Sequence, residues 1–123
     1  MKFIRWLLGR IILLVDRLTA PKPMTRSPEA QAEADAQARS LVLYQYLACP
    51  FCVKVRRAIR RLGLNIDTCD AKNDAACKAR LLTEGGKLQV PCLQITSEDG
   101  SVRWLYESDD IIRYLESRFA DLR

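Results

Sequence analysis

The tetrapeptide CPFC at 49–52 constrains the fold of this 123-residue chain more than any other feature. It follows the apolar run LVLYQY at 41–46, which predicts a buried strand. It precedes a stretch whose apolar residues recur at helical spacing until Gly63, the residue expected to end the helix. A Cys-x-x-Cys pair between a strand and a helix, with a proline inside it, indicates a redox-active dithiol.

The two cysteines are expected to differ in exposure and in role. Cys49 would lie at the mouth of the helix, where free backbone N–H groups and the positive helix end favour the thiolate. Pro50 would occupy the first or second helical position, where its missing N–H costs little. Cys52 falls one turn further along, on the apolar stripe. We therefore predict that Cys49 attacks disulfides and that Cys52 resolves the product.

Two other interpretations of the pair stay open, namely half of a zinc site and two inert buried thiols. A tetrahedral zinc site needs further ligands, and the sequence has no histidine and no second Cys-x-x-Cys, so no metal is expected. Cys69, Cys77 and Cys92 are interpreted as small core residues, although Cys92 could approach Cys49. Five cysteines are too few, and odd in number, for a disulfide scaffold, which favours reduced thiols and a cytoplasmic setting.

The remaining segments predict a mixed α/β fold. Because a helix joins the first two strands, these strands should pair in parallel. The turn at Asp99-Gly100 favours an antiparallel hairpin between the last two strands. The result would be a four-stranded mixed sheet with helices on both faces. Its further strands are expected at 64–70, 88–95 and 102–107, and its further helices at 73–86 and from a capping Ser108 onward.

Residues 1–19 predict an amphipathic basic helix, an N-terminal extension to the sheet domain. Residues 1–26 carry six Lys or Arg against Asp16 alone, whereas the rest of the chain carries 14 basic and 14 acidic side chains. Within 3–18 one face is apolar, with Trp6 at its border and Leu13 out of place on the polar side. This pattern suits a helix that lies in a membrane interface. The alternatives are docking on protein, a cleaved signal and a membrane span.

Residues 20–40 are expected to be a linker or a solvated spacer helix. Three prolines come first, and the following Ala-, Glu- and Gln-rich stretch has no large apolar side chain to bury. The sheet domain would then occupy 41–123. Because the basic excess is confined to the first 26 residues, we expect no nucleic-acid partner.

CPFC at 49–52, VPC at 90–92 and ESDD at 107–110 each follow the expected element, and with them the chain resembles the glutaredoxin family. The last motif is also similar to the N-terminal, glutathione-binding domain of glutathione transferases. Both families have the thioredoxin-like fold, so the resemblance implies that fold, with a cis bond before Pro91 and with glutathione as the electron donor.

The resemblance also implies a glutathione site around the dithiol. The backbone of Val90 would lie beside the glutathione cysteine, and Ser108 and Asp109 would hold the γ-glutamyl end. Lys87 is the candidate for the glycine carboxylate. Phe51 stands where the family often has tyrosine, and the family's lysine before the motif is missing, so thiolate stabilisation falls to the helix end and to Lys54 or Arg56. The full set is Cys49, Pro50, Phe51, Lys87, Val90, Pro91, Glu107, Ser108 and Asp109.

The sequence thus predicts a glutaredoxin-type thiol–disulfide oxidoreductase that serves electron transport and cell redox homeostasis. Its partners would be glutathione, glutathionylated or disulfide-containing proteins and, through residues 3–18, the cytoplasmic face of a membrane. One alternative is an iron–sulfur cluster module ligated by Cys49 and glutathione between two subunits. Another is a glutathione transferase relative, which the lack of an all-helical second domain in the sequence disfavours.

Overall fold

The helices and strands follow the predicted order, with the predicted N-terminal helix and a helix within 20–40 before the first strand. The computed structural model describes residues 2–123. The elements are α1 (Lys2–Leu18), α2 (Pro28–Ala38), β1 (Leu41–Gln45), α3 (Pro50–Arg61), β2 (Asp67–Asp70), α4 (Ala75–Thr83), β3 (Cys92–Thr96), β4 (Val102–Leu105) and α5 (Ser108–Phe119).

The sheet has the strand order β2-β1-β3-β4. β1 pairs with β2 in parallel and with β3 in antiparallel orientation, so that Tyr44 lies opposite Cys69 on one side and opposite Cys92 on the other. β3 pairs with β4 in antiparallel orientation, with Leu93 opposite Leu105. The predicted four-stranded mixed sheet is therefore confirmed.

Side-chain alternation along β1 gives the sheet two separate apolar cores. Leu41 and Leu43 point to the face that α2, α3 and α5 cover, where they join a buried cluster that includes Phe119. Tyr44 points to the opposite face, where it packs with Leu81 of α4. Because both faces are covered, β1 is the most buried strand of the sheet.

Several predicted boundaries were too wide. β3 begins at Cys92 and not at 88, because Pro91 has no N–H to donate to a strand ladder. β2 begins at Asp67 and not at 64, and α4 ends at Thr83 and not at 86. Ser108 was expected to cap the last helix, but it is the first helical residue and Glu107 is the N-cap.

The expectation of a solvated spacer at 20–40 was wrong for α2. Ser27 accepts a hydrogen bond from the Ala30 N–H at 3.2 Å and thereby caps the helix. Ala30, Ala34 and Ala38 recur every four residues and are all buried, and Ala34 belongs to the larger core. The small methyl side chains let the helix backbone approach the core closely, so a helix without large apolar residues still packs.

α1 also docks on the domain, and it does so through its polar side. Asp16 is buried and pairs with Arg57 at 3.0 Å and with Arg60 at 3.8 Å, both on α3. Gly9 lies so close to the loop before α3 that an added Cβ would come within 3.0 Å of the Ala48 Cβ. Leu13, which the helical wheel placed among polar residues, is half-buried on this docked side.

Docking in this orientation leaves the apolar side of α1 exposed. The exposed residues of that side are Phe3, Ile4, Leu7, Leu8, Ile11, Leu14, Val15 and Leu18. Among residues 2–123, no helix has the length and apolar character needed to cross a membrane.

Cys69 and Cys77 are joined by a disulfide, which corrects the expectation that both are free core thiols. The bond links β2 to α4, with Cα atoms 5.6 Å apart. The parallel register of β2 brings Cys69 to the face covered by α4, and this juxtaposition is a tertiary effect that spacing alone does not indicate. Cys49, Cys52 and Cys92 are free.

We predict that Ala34→Leu lowers the free energy of unfolding by about 1–3 kcal/mol, because the position is fully buried and the core is already filled. The matched control is Ala32→Leu on the exposed side of the same helix, which should change stability by less than about 0.5 kcal/mol. Urea denaturation followed by circular dichroism measures both. Equal stability of the two variants would contradict the docking of α2.

Candidate thiol and glutathione site

The segments that the sequence assigned to the site meet at one end of the sheet, where β1 ends and β3 begins. We call this place the sheet edge and the site there the sheet-edge site. Continuing the pairing of Tyr44 with Cys92 by two residues places Val90 opposite Tyr46, three residues before Cys49. Continuing the pairing of Leu93 with Leu105 places Pro91 opposite Glu107. The dithiol, the Val90–Pro91 segment and the start of α5 therefore lie at the same end of the sheet.

Cys49 is the N-cap of α3, and Pro50 occupies the first turn of the helix, as predicted. The Cys49 side chain makes no capping hydrogen bond within the described chain, so it does not use the free N–H groups of the first turn for its own cap. The residue is half-buried. Its neighbours Leu47 and Phe51 are 58% and 61% exposed, which gives the thiol an apolar and accessible rim.

Cys52 is fully buried one turn further along α3. Burial raises the pKa of Cys52 to about 12, and a hydrogen bond with Cys49 adds to this shift. The Tyr46 N–H donates to the Cys52 Sγ at 3.5 Å and acts in the opposite direction. The predicted asymmetry is present in the geometry, with an outer thiol and an inner thiol that stays protonated near neutral pH.

The two cations expected to stabilise the Cys49 thiolate have other partners. Lys54 pairs with Asp109 at the start of α5, and this ammonium holds the pKa of the Asp109 carboxyl below its usual value. Arg56 donates to Gln45 Oε1 at 2.9 Å and to the Leu47 carbonyl at 2.6 Å. Arg56 therefore fixes the loop that presents Cys49, a role that the sequence did not indicate.

The predicted glutathione residues on the other two segments are partly or fully exposed, except for the buried Pro91, and Asp109 is already paired with Lys54. The Val90–Pro91 bond is cis, as the resemblance implied. Glu107 caps α5 only through its backbone, since its side chain makes no capping hydrogen bond in the part of the chain described. A helix end of this kind can accept a carboxylate, with the partly exposed Ser108 beside it. The Lys87 ammonium lies 4.4 Å from the centre of the Tyr106 ring.

Cys92 is buried behind this edge and does not form a disulfide with Cys49. Burial raises the pKa of Cys92 to about 11, while a hydrogen bond with the Tyr106 side chain lowers it. This position agrees with its interpretation as a small core residue. Within residues 2–123, no three acidic, cysteine or histidine side chains cluster as metal ligands.

A cleft of about 540 Å³ opens on another side of Cys49, between α1 and the two loops that follow β1 and β2. We call it the α1 cleft. The sequence did not indicate it, because it exists only when α1 docks, and Leu13 on the polar side of α1 was the one hint of that docking. Its lining consists of Lys2, Arg5, Trp6, Gly9, Arg10, Leu13, Tyr46, Leu47, Ala48, Cys49, Lys72 and Asn73.

Residues 43–122 match the family described as the glutathione S-transferase N-terminal domain. The chain belongs to this family. The matched range of this glutathione transferase N-terminal domain begins in β1 and ends after α5, so it includes every segment of the sheet-edge site. α1 and α2 lie outside it. None of the curated proteins matches the chain.

Solved structures agree with this assignment. A maleylacetoacetate isomerase from Anaeromyxobacter dehalogenans 2CP-1, with dicarboxyethyl glutathione and citrate bound in its active site, is 27% identical with a TM-score of 0.51. The match covers 67% of this chain and only 38% of the isomerase. The same isomerase with GSH in its active site matches at 26% identity, a TM-score of 0.51 and the same coverage.

A thioredoxin-like protein matches this glutathione transferase N-terminal domain at 25% identity and a TM-score of 0.53, over 68% of this chain and 97% of its own. The predicted thioredoxin-like fold is thereby confirmed. Wheat glutaredoxin matches at 24% identity and a TM-score of 0.48, over 73% of this chain and 84% of its own, a likeness too weak to support an argument.

We predict that iodoacetamide near pH 8 labels Cys49 at least about tenfold faster than Cys52 or Cys92. A raised thiol pKa keeps the unreactive protonated form, so labelling of Cys52 should rise only as the pH approaches about 12. Mass spectrometry of peptides after timed quenching measures the rates. In denaturant the three thiols should react alike. Equal labelling of Cys49 and Cys52 in the folded protein would contradict the arrangement.

Proposed function

We propose that this glutathione transferase-type domain is a glutathione-dependent thiol–disulfide oxidoreductase. The observation that carries the proposal is the dithiol itself. A half-buried Cys49 at a helix N-terminus contacts a buried Cys52, at the sheet edge that also holds Val90–Pro91 and the start of α5. The glutathione-bound isomerase structures support glutathione as the co-substrate.

The proposed reaction balances as a thiol–disulfide exchange. The Cys49 thiolate attacks the glutathione sulfur of a mixed disulfide, a Cys49–glutathione disulfide forms, and the other thiolate leaves and takes up a proton. A second glutathione thiolate then attacks, which releases glutathione disulfide and restores the Cys49 thiol. With a protein disulfide, the Cys49 thiolate attacks one of its sulfurs, which forms a Cys49–protein mixed disulfide and releases the first protein thiol. Cys52 then attacks the Cys49 sulfur, which releases the second protein thiol and forms the Cys49–Cys52 disulfide, and two glutathione molecules reduce that bond and leave as glutathione disulfide. The electrons come from glutathione in both cases.

The glutathione site would use the residues gathered at the sheet edge. The Val90 backbone would pair with the cysteine of glutathione, and the free N–H groups at the start of α5 would bind the γ-glutamyl carboxylate. Asp109 and Glu107 would attract the γ-glutamyl ammonium, and Asp109 is already ionised beside Lys54. Lys87 would bind the glycine carboxylate, and Pro50 and Phe51 would flank the sulfur.

A second candidate is glutathione addition to an electrophile or glutathione-dependent isomerisation. The family assignment and the isomerase neighbour favour it. The dithiol does not favour this candidate, because those reactions use the thiol of glutathione and need no pair of protein thiols. The two candidates therefore differ in their dependence on Cys49.

We expect Cys49→Ser to reduce the turnover of a glutathionylated peptide by at least about a thousandfold, since a hydroxyl is a far poorer nucleophile than a thiolate. Cys52→Ser should keep partial activity, because glutathione can resolve the Cys49 intermediate. Cys92→Ser is the control for loss of a buried thiol and should keep activity. Peptide release is followed by liquid chromatography. Full activity in Cys49→Ser would refute the oxidoreductase, and retained conjugation of an electrophile would favour the second candidate.

We further propose that the exposed apolar side of α1 contacts an anionic membrane surface, on the cytoplasmic side. Eight large apolar side chains on this side are exposed to solvent in the described structure. Arg10 and Arg17 are exposed on the same helix, and their charge complements anionic headgroups. The helix would lie in the interface, since it is not long and apolar enough to span.

We predict that the full chain cosediments with vesicles containing phosphatidylglycerol and much less with pure phosphatidylcholine. Leu7→Gln/Leu14→Gln should weaken the partition roughly tenfold or more, because it removes apolar area from the contact. Leu82→Gln/Val102→Gln changes two exposed apolar residues elsewhere and serves as the control. Equal binding of both double variants, or self-association of the chain without lipid binding, would overturn this proposal.

A further inference from the structure

We propose that the α1 cleft is a second substrate subsite, which binds the non-glutathione half of a mixed disulfide and prefers acidic peptide segments. This proposal rests on the proposed oxidoreductase function and extends it to substrate choice. The subsite is built from α1, which lies outside the matched family range of 43–122. The matched range alone therefore does not form the subsite, because half of its lining comes from α1.

The two halves of such a substrate are joined by the disulfide that Cys49 attacks, so both halves must lie near this thiol. Cys49 lines the α1 cleft, and it is also part of the sheet-edge site. Within the described chain, the lining of the cleft includes none of the other predicted glutathione residues. Glutathione on the sheet-edge side therefore leaves the cleft free for the group on the other sulfur.

The charge of the residues that line the cleft favours an acidic peptide. Lys2, Arg5, Arg10 and Lys72 line it, and no acidic side chain of the described residues does so. None of these four cations forms an ion pair within residues 2–123, whereas Asp16 on the same helix is paired with α3. Asp70 lies nearby and accepts hydrogen bonds from Asn73 and from the Lys72 N–H, which lower the pKa of its carboxyl and keep it charged. This carboxylate offsets part of the charge of Lys72, and the cleft keeps a net positive potential from its other three cations.

The apolar part of the lining suits the peptide around a cysteine. Trp6, Leu13 and Leu47 line the cleft together with the cations and the thiol, and Arg10 lies 5.6 Å from the centre of the Trp6 ring. A volume of about 540 Å³ falls in the usual range of ligand sites and holds a short peptide segment, not a folded domain. A cysteine flanked by glutamate or aspartate fits this combination.

The cations would also favour the chemical step. When the Cys49 thiolate attacks the glutathione sulfur, the bond between the two substrate sulfurs breaks and the peptide leaves as a thiolate. That negative charge would develop in the cleft that Arg5 and Lys72 line, where their charge would lower the proton affinity of the leaving thiol and speed its departure.

The test compares two glutathionylated cysteine peptides, one flanked by glutamates and the other by the isosteric glutamines. In the native chain, kcat/KM should favour the acidic peptide by about tenfold at low salt, and the preference should shrink as ionic strength rises. Arg5→Gln/Lys72→Gln should bring the ratio close to one. Lys22→Gln/Lys78→Gln removes the same charge from exposed positions outside the cleft and should keep the ratio.

A binding measurement separates this proposal from the proposed function. Fluorescence anisotropy of labelled peptides on Cys49→Ser needs no turnover, and the acidic peptide should bind about tenfold tighter. If the acidic peptide binds more tightly but the native chain turns over neither peptide, the oxidoreductase proposal is refuted and the subsite proposal is supported. Turnover with equal rates for both peptides, or an acidic preference that survives Arg5→Gln/Lys72→Gln, would overturn the subsite.

Discussion

The antiparallel pairing of β1 with β3 is the contact on which the rest of the molecule depends. It places the end of β1 beside the start of β3, and this one register brings the Cys49 loop and the Val90–Pro91 segment together. Since β1 is buried on both faces, a shift of one residue would move Leu43 into the core that Tyr44 fills and Tyr44 into the core that Leu43 fills. The site is therefore held by the packing of two cores and not by its own polar contacts.

Much of this could be predicted, because the information is local. Cys49 and Pro50 mark the start of α3, and Gly63, with a φ of +64°, marks its end. Alternation along the strands and the turn at Gly100 give the order of elements. The three motifs in that order, together with the family resemblance, were sufficient to predict that Cys49, Pro91 and Glu107 belong to one site.

The partners of the charged residues could not be predicted, because they depend on contacts between distant segments. Lys54 reaches Asp109, 55 residues away, and Arg57 reaches Asp16, 41 residues away. A helical wheel identifies a polar face but does not distinguish a charge facing water from a charge facing a partner. The burial of Ala34 was missed for a related reason, since a small side chain carries a weak apolar signal in the sequence and still fills a close contact.

The docking of α1 follows from the cost of leaving a buried charge without a partner. Asp16 is almost completely removed from water, so the helix can take this position only where Arg57 and Arg60 meet it. Apolar packing alone would have turned the opposite side of α1 inward and buried Leu7 and Leu14. The ion pairs instead direct the apolar side outward and place Arg5 over the Cys49 loop. One helix thus forms a wall of the α1 cleft and presents an apolar surface to the outside. If that surface rests on a bilayer, the cleft opens near the plane of the headgroups, and acidic peptide and anionic lipid compete for the same cations.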